Sequence, residues 1–261
     1  QMSDPALVVQ GAIVAALTTS VPEAANSGRD WDYRFCWLRD AYYTVQAQNR
    51  LGAVDILEGY LTYLRNIVDA HPGGRIQPVF GVGGDPILNE MIIETLPGYR
   101  GMGPVRAGNQ AHEQHQHDAY GQIVLSTVQA FFDERLIRAP GLDDFHTLET
   151  VGERAYQLFL KPDAGLWEFR TREAIHTYSS VMCWAACDRL ANAAEKIGLD
   201  DRSAFWRARA DEIREAILER AWDPQQNSLT EHLGPGAIDA SLLSLPLRRV
   251  IAADHPQMVA T

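Results

Sequence analysis

The 261-residue chain is long enough for one large hydrophobic core or two smaller ones, and its 46% hydrophobic and 22% charged residues are ordinary for a globular protein. Its formal net charge of -11 disfavours nucleic acid as a partner, because phosphate binding depends on clustered lysine and arginine. No apolar run approaches the roughly 20 residues that cross a bilayer, so we expect no membrane partner.

Apolar residues recur at helical spacing through most of the chain, for example at Leu57, Leu61, Leu64 and Val68. Glycine or proline, which ends a helical hydrogen-bond ladder, follows several of these segments, as at Gly52. The pattern predicts helices over about 38–51, 54–70, 118–136, 144–160, 177–197, 202–222 and 238–245. Alternating runs typical of strands are scarce, the best covering 75–82, so the predicted class is all-α.

A long stretch rich in glycine and proline, residues 72–117, separates the second and third predicted helices. Loops of this length inside a compact domain are usually functional. We therefore expect this stretch to line a site.

The start of the chain and its cysteines give weak information about the compartment. The first residues lack the basic-then-apolar order of a secretory signal. Cys36, Cys183 and Cys187 form no metal-binding or redox motif and are predicted to be buried free thiols, which favours the cytoplasm. The chain begins with Gln1 and stops at Thr261 just after a short apolar stretch, and we interpret it as part of a longer protein.

Charged and aromatic residues alternate just before the first predicted helix, where residues 29–40 read RDWDYRFCWLRD. This motif resembles the signature that opens the catalytic domain of glycoside hydrolase family 15, the glucoamylase and trehalase group. The resemblance implies that Arg39 and Asp40 bind the hydroxyls of a terminal glucose unit and that Tyr33 lies near the reacting carbon. Aromatic faces such as those of Tyr33 and Trp37 suit the apolar surface of a pyranose. The alternative is a capped helix start with an Arg–Asp ion pair and core aromatics.

A second motif, GYRGMGPVRAGN at residues 98–109, resembles the substrate-binding loop of the same family. The resemblance implies that Arg106 and Asn109, and the later Gln116 and Asp118, lie in or beside the sugar pocket. His115, His117 and the pair Met102-Gly103 depart from the family pattern, which leaves the preference of the outer subsites open.

Three imidazoles and two carboxylates within residues 112–118 also suit a transition-metal site. Helical spacing disfavours it, because His115 and His117 do not share a helix face. We interpret the segment instead as a surface-exposed polar helix entrance, and predict no metal site.

A third motif, AGLWEFR at residues 164–170, resembles the acid motif of the family. The resemblance implies that Glu168 is the general acid and that Trp167 and Arg170 lie beside the substrate. An apolar neighbour such as an indole disfavours the anionic form of a carboxyl group, which suits a proton donor. The alternative for Glu168 is a surface carboxylate paired with Arg170. Ser180 replaces a lysine that many bacterial members carry, a departure that leaves the shape of the pocket open.

The three motifs together imply that residues 1–261 are part of an (α/α)6 toroid, incomplete on its C-terminal side. The implied activity is inverting hydrolysis of terminal α-glucosidic bonds in a small carbohydrate, an oligosaccharide or trehalose, without a cofactor. We expect the catalytic base beyond Thr261, and this chain to be inactive alone. Asp239, in a segment that resembles a barrel-lining helix, is equally well explained as a helix cap. The alternative function is a non-catalytic carbohydrate-binding or regulatory relative.

Overall fold

The computed structural model describes residues 11–261, in which helices are the main regular structure. The α-helices are α1 Leu38–Arg50, α2 Val54–Ala70, α3 Asp118–Val128, α4 Leu142–Leu158, α5 Thr177–Lys196, α6 Asp200–Arg220, α7 Ser244–Arg248 and α8 Pro256–Ala260. Short 3-10 turns cover Gln110–Glu113, Gln129–Phe131 and Ala240–Leu243. Two-residue strands pair antiparallel: β1 Cys36–Trp37 with β2 Val79–Phe80, β3 Met91–Ile92 with β4 Arg106–Ala107, and β5 Trp222–Asp223 with β6 Ser228–Leu229. The predicted all-α class is confirmed.

The described chain divides into two compact units. The first unit contains the described residues up to His71 together with Arg75–Gln114, and the second contains Pro72–Gly74 and His115–Thr261. The assignment of the whole chain to one domain stays a prediction. None of the helices in residues 11–261 combines the length and the apolar character that a bilayer-spanning segment needs.

In the first unit, α1 and α2 pack together and hold the start of the long loop. Tyr60 of α2 is fully buried and donates a hydrogen bond to the carbonyl of Leu38 at the start of α1 (3.3 Å). Tyr63, one turn further on, donates to the carbonyl of Gly81 (2.8 Å), which fixes the chain just after β2. The glycine- and proline-rich stretch is therefore anchored to the helix pair.

In the second unit, α5 lies at the centre and packs against α3, α4 and α6. Buried residues occur all around this helix, as expected for a central helix without a continuous polar face. Glycines allow the close crossings: a Cβ on Gly121 of α3 would lie 2.4 Å from the carbonyl oxygen of Met182 in α5. A Cβ on Gly152 of α4 would lie 2.2 Å from Leu190 of α5. All three cysteines are buried free thiols, and burial raises the pKa of Cys36 to about 11.

The helix boundaries agree with the sequence pattern for α1 and α2, whereas the third predicted helix is too long. It was expected to reach residue 136, but α3 ends at Val128 and is followed by a 3-10 turn. The side chain of Asp133 accepts hydrogen bonds from both the backbone and the guanidinium of Arg135, a local turn that competes with helix formation. The expected strand at 75–82 shrinks to Val79–Phe80.

Candidate active site

In the first unit, the signature segment before α1 folds back on the chain that precedes it. The backbone N–H of Ser20 donates to Trp31 and that of Tyr33 donates to Thr18. The Tyr33 hydroxyl and the Trp31 indole N–H both donate to the Oε1 atom of Glu23, at 3.1 and 2.9 Å. Tyr33 therefore has a fixed position, with its ring 5.8 Å from that of Trp37.

Three predicted sugar-binding residues lie at the β1–α1 junction. Trp37 is 2% exposed and packs in the core with Val79 and Ala111. Arg39 is half-buried and Asp40 is exposed, in the first turn of α1. A carboxylate there is also favourable for the helix dipole, so the position of Asp40 fits both interpretations. Sugar binding by these residues stays a prediction.

The loop residues Arg106 and Asn109 are held by other parts of the first unit. The guanidinium of Arg106 donates to Glu90 (2.8 Å) and lies over the ring of Trp31 (5.1 Å). The amide of Asn109 donates to the carbonyl of Asp32 (3.1 Å) and accepts from the backbone N–H of Ala111 (2.9 Å). Both ends of that amide thus bind backbone, which makes Asn109 a residue that shapes the loop.

In the second unit, Gln116, His117 and Asp118 are buried, at 2%, 5% and 1% exposure. The interpretation of this segment as an exposed helix entrance is therefore wrong for residues 116–118, whereas Glu113 and His115 are exposed. The cause is pairing with the chain near Asp163: the His117 N–H donates to the Asp163 carboxyl group (2.7 Å), and the Ala164 N–H donates to the His115 carbonyl (2.9 Å). Burial lowers the pKa of His117 to about 4.

Two of the three histidines of residues 112–118, His112 and His117, interact with backbone carbonyl groups through their rings. His112 Nδ1 lies 2.9 Å from the carbonyl of Asn109, and His117 Nε2 lies 3.2 Å from the carbonyl of Pro162. Across residues 11–261, no three His, Cys, Asp or Glu side chains are grouped so that they could hold a metal ion. The structure gives no support to the alternative of a metal site.

Glu168 lies in a short loop, residues 163–174, which we call the acid loop. Its ends pair through two backbone hydrogen bonds between Asp163 and Ala174, of 2.9 and 3.0 Å. Within it, Gly165–Glu168 form a turn that is closed by a hydrogen bond from the Glu168 N–H to the Gly165 carbonyl (3.1 Å). Glu168 has a φ of +56°, a left-handed conformation that costs a non-glycine residue about 1 kcal/mol. Residues held in this way are concentrated at functional sites.

Trp167, the residue before Glu168, has an exposed side chain that is held by a hydrogen bond. Trp167 is 54% exposed, yet its Nε1–H donates to the Oδ2 atom of Asp239 (3.2 Å). The Oδ1 atom of Asp239 accepts from the Ser241 N–H (2.8 Å) and so caps the 3-10 turn. Asp239 is therefore a cap, as one interpretation had it, and it also fixes an exposed aromatic side chain. Arg170 is exposed and Glu168 half-buried.

Asp163 is the residue of this region that the sequence analysis missed. It followed a helix-breaking proline and was given no role, but its carboxyl group is fully buried. It accepts hydrogen bonds from the His117 N–H and the Ser179 hydroxyl, both 2.7 Å long. Burial raises the pKa of Asp163 to about 7.

His176, the residue before α5, supports the acid loop, whereas Ser180 in the first turn of α5 has other partners. A Cβ on Gly165 would lie 2.6 Å from the His176 ring, so the imidazole packs directly on the turn. Burial lowers the pKa of His176. Ser180 is fully buried and donates to the Phe159 carbonyl (2.7 Å). Ser180 therefore belongs to the helix packing.

The raised pKa of Asp163 predicts a pH-dependent stability that Asp163→Asn should remove. The folded protein retains the proton up to about pH 7, whereas the ordinary value is 3.8. The stabilisation is thus complete below the ordinary value and is lost as the pH rises to about 7. Each pKa unit is worth about 1.4 kcal/mol, so urea unfolding should show the wild type losing a few kcal/mol relative to the variant between pH 4 and 8. Parallel pH curves for the two proteins would contradict this.

The comparison with protein families identifies the family to which this chain belongs. The family model of the glycosyl hydrolases family 15 matches residues 7–261, and the chain belongs to that family.

The curated relatives are trehalases. The chain is 36% identical over 253 residues to a trehalase of Mycolicibacterium smegmatis and 35% identical over 254 residues to one of Thermoplasma volcanium. Each match covers 96% of this chain, but 37% and 39% of those two proteins. The chain thus spans less than half the length of the curated relatives that it matches.

Solved structures establish the fold. A glycosidase variant matches 97% of this chain with a TM-score of 0.69 and 18% identity, over 63% of its own length. A bacterial glucoamylase complexed with acarbose matches 97% of this chain with a TM-score of 0.64 and 16% identity, over 36% of its length. These likenesses confirm the predicted class, the all-α fold of (α/α)6 glycosidases.

Proposed function

We propose that this chain provides the general acid and the subsite for a terminal glucose unit in an inverting hydrolase of α-glucosidic bonds. The observation that carries the proposal is the acid loop: the Trp-Glu pair of the family motif lies in it, with Glu168 in a left-handed conformation and the Trp167 ring exposed. Family membership supports the reaction type.

In this mechanism Glu168 donates a proton to the glycosidic oxygen as the C–O bond breaks, and the leaving sugar departs as a neutral alcohol. A second carboxylate removes a proton from water, which attacks the anomeric carbon from the opposite face. We assign no base within this chain, because the carboxylates of Asp40 and Asp118 are proposed to hold the sugar. The reaction is a proton transfer coupled to substitution, and the proposal includes no metal or organic cofactor.

The sugar is proposed to be held by hydrogen bonds and by aromatic faces. Arg39 and Asp40 would bind neighbouring hydroxyl groups, since a guanidinium donates in a fork and a carboxylate accepts. The exposed indole of Trp167, fixed by Asp239, would cover an apolar pyranose face. The remaining proposed sugar-binding residues are Tyr33, Trp37, Arg106, Gln116, Asp118 and Arg170. Asn109 would act by shaping the loop that carries Arg106.

Trehalose is the first substrate to test. The trehalases of M. smegmatis and T. volcanium are 36% and 35% identical to this chain, whereas the glucoamylase likeness is one of fold at 16% identity. Maltose and isomaltose represent the other α-glucosidic linkages that this family resemblance leaves open.

The products of trehalose hydrolysis test both the substrate and the stereochemistry. We expect the complete protein that carries this chain to cleave trehalose with a higher kcat/KM than maltose or isomaltose. Inversion at one anomeric carbon would give one β-glucose and one α-glucose, which proton NMR distinguishes before mutarotation. Two α-glucose molecules would contradict inversion. No glucose from any of the three disaccharides would contradict the hydrolase and favour a binding protein.

A further inference from the structure

We propose that Asp163 is a positioning residue for Glu168: its buried carboxyl group fixes the acid loop to the helices α3 and α5. This inference rests on the proposed function for its effect on turnover. Its effect on the loop itself is independent of that function.

The carboxyl group of Asp163 joins three parts of the second unit. It accepts from the backbone N–H of His117, the residue before α3, and from the hydroxyl of Ser179, in the first turn of α5. Asp163 is itself the first residue of the acid loop, where its backbone pairs with that of Ala174. One side chain therefore links two helices to the loop that carries the proposed acid.

The turn needs such an anchor because its conformation is unfavourable for Glu168. Gly165 and Glu168 both have left-handed backbones, with φ of +66° and +56°. A non-glycine residue stays in that region when the surrounding structure fixes it from several sides. Here the Asp163–Ala174 pair closes the loop, the His176 ring packs on Gly165, and the Asp163 carboxyl group fixes the first residue of the loop to α3 and α5.

The position of a proton donor has a large effect on turnover. A misplacement of about 1 Å by a change outside the reacting groups can lower a rate about 10²-fold. Asp163 is five residues from Glu168 and is fully buried, so it acts on the reaction through the loop. We therefore expect its removal to lower kcat and to change KM little.

The experiment compares four variants of the complete protein. Asp163→Ala removes the anchor, Asp163→Asn retains an acceptor oxygen for His117 and Ser179, and Ser179→Ala removes one donor. Ser126→Ala is the control, since Ser126 is also a buried helix serine and bonds within α3 to the Gln122 carbonyl. Amide hydrogen exchange of residues 164–173 reports the loop, and trehalose hydrolysis reports kcat and KM.

We expect Asp163→Ala to speed exchange in the acid loop while α5 stays protected, and to lower kcat about 10–100-fold with KM within about threefold. Ser179→Ala should cause smaller changes in the same direction. Asp163→Asn should keep loop exchange and kcat close to their wild-type values, and Ser126→Ala should match the wild type in both. If Asp163→Ala does not fold, the comparison of Ser179→Ala with Ser126→Ala decides.

Unchanged loop exchange in both Asp163→Ala and Ser179→Ala would overturn the inference, as would equal loosening of the loop and of α5. A loosened loop in a protein that releases no glucose even as wild type would support the anchor and contradict the proposed hydrolase. The two ideas therefore fail separately.

Discussion

Glu168→Gln in the complete protein should lower the kcat for trehalose by about 10²–10⁴-fold, the usual contribution of a general acid. Glutamine has nearly the shape of glutamate but cannot donate an acidic proton to the leaving oxygen. The turn that holds residue 168 is closed by the backbone N–H of that residue and the Gly165 carbonyl, and both remain in the variant. The dissociation constant for trehalose, measured by calorimetry, should therefore stay within a few-fold of the wild-type value.

Glu195→Gln is the matched control, because Glu195 is an exposed glutamate in the last turn of α5. It should keep wild-type kcat and binding. A Glu168→Gln variant with kcat within about threefold of the control would contradict the assignment of the acid. Loss of binding together with turnover would instead indicate that Glu168 holds the sugar.

Gly165→Ala should destabilise the protein by about 2–4 kcal/mol, against about 1 kcal/mol for Gly198→Ala. Both glycines have left-handed backbones, with φ of +66° and +77°, so an alanine is strained at either position. They differ in their surroundings: a Cβ on Gly165 would lie 2.6 Å from the buried His176 ring, whereas nothing lies within 4 Å of one on Gly198. Overpacking of this kind adds about 1–3 kcal/mol.

The difference in unfolding free energy between Gly165→Ala and Gly198→Ala measures how tightly the acid loop packs against His176. Urea unfolding of each variant, at a pH where His176 is neutral, gives the two free energies. Equal losses would show that the His176 ring moves aside at no cost and that the turn is loosely held.

Structural features that depend on residues close together in the sequence could be predicted. The spacing of apolar residues predicted α2 with its observed bounds, Val54–Ala70, and the family motif drew attention to the Trp167–Glu168 pair. Where a nearby side chain competes with the backbone, as Asp133 does after α3, periodicity alone overestimates the helix.

The role of Asp163 could not be predicted, because it depends on contacts distant in the sequence. Its partners are His117, 46 residues earlier, and Ser179, 16 residues later, which meet it through the packing of α3 and α5. The burial of Gln116 and His117 has the same origin. In contrast, the side-chain oxygen of Asn109 accepts from the N–H of Ala111, two residues later, a local capping interaction that is common for asparagine.

The most direct test of Glu168 as proton donor compares two leaving groups in the same variant. Fluoride departs from α-glucosyl fluoride with little need for a proton, whereas the sugar alcohol of trehalose needs one. Glu168→Gln should therefore keep most of the wild-type rate on α-glucosyl fluoride while losing about 10²–10⁴-fold on trehalose. Equal losses on both substrates would contradict the role of Glu168 as the general acid.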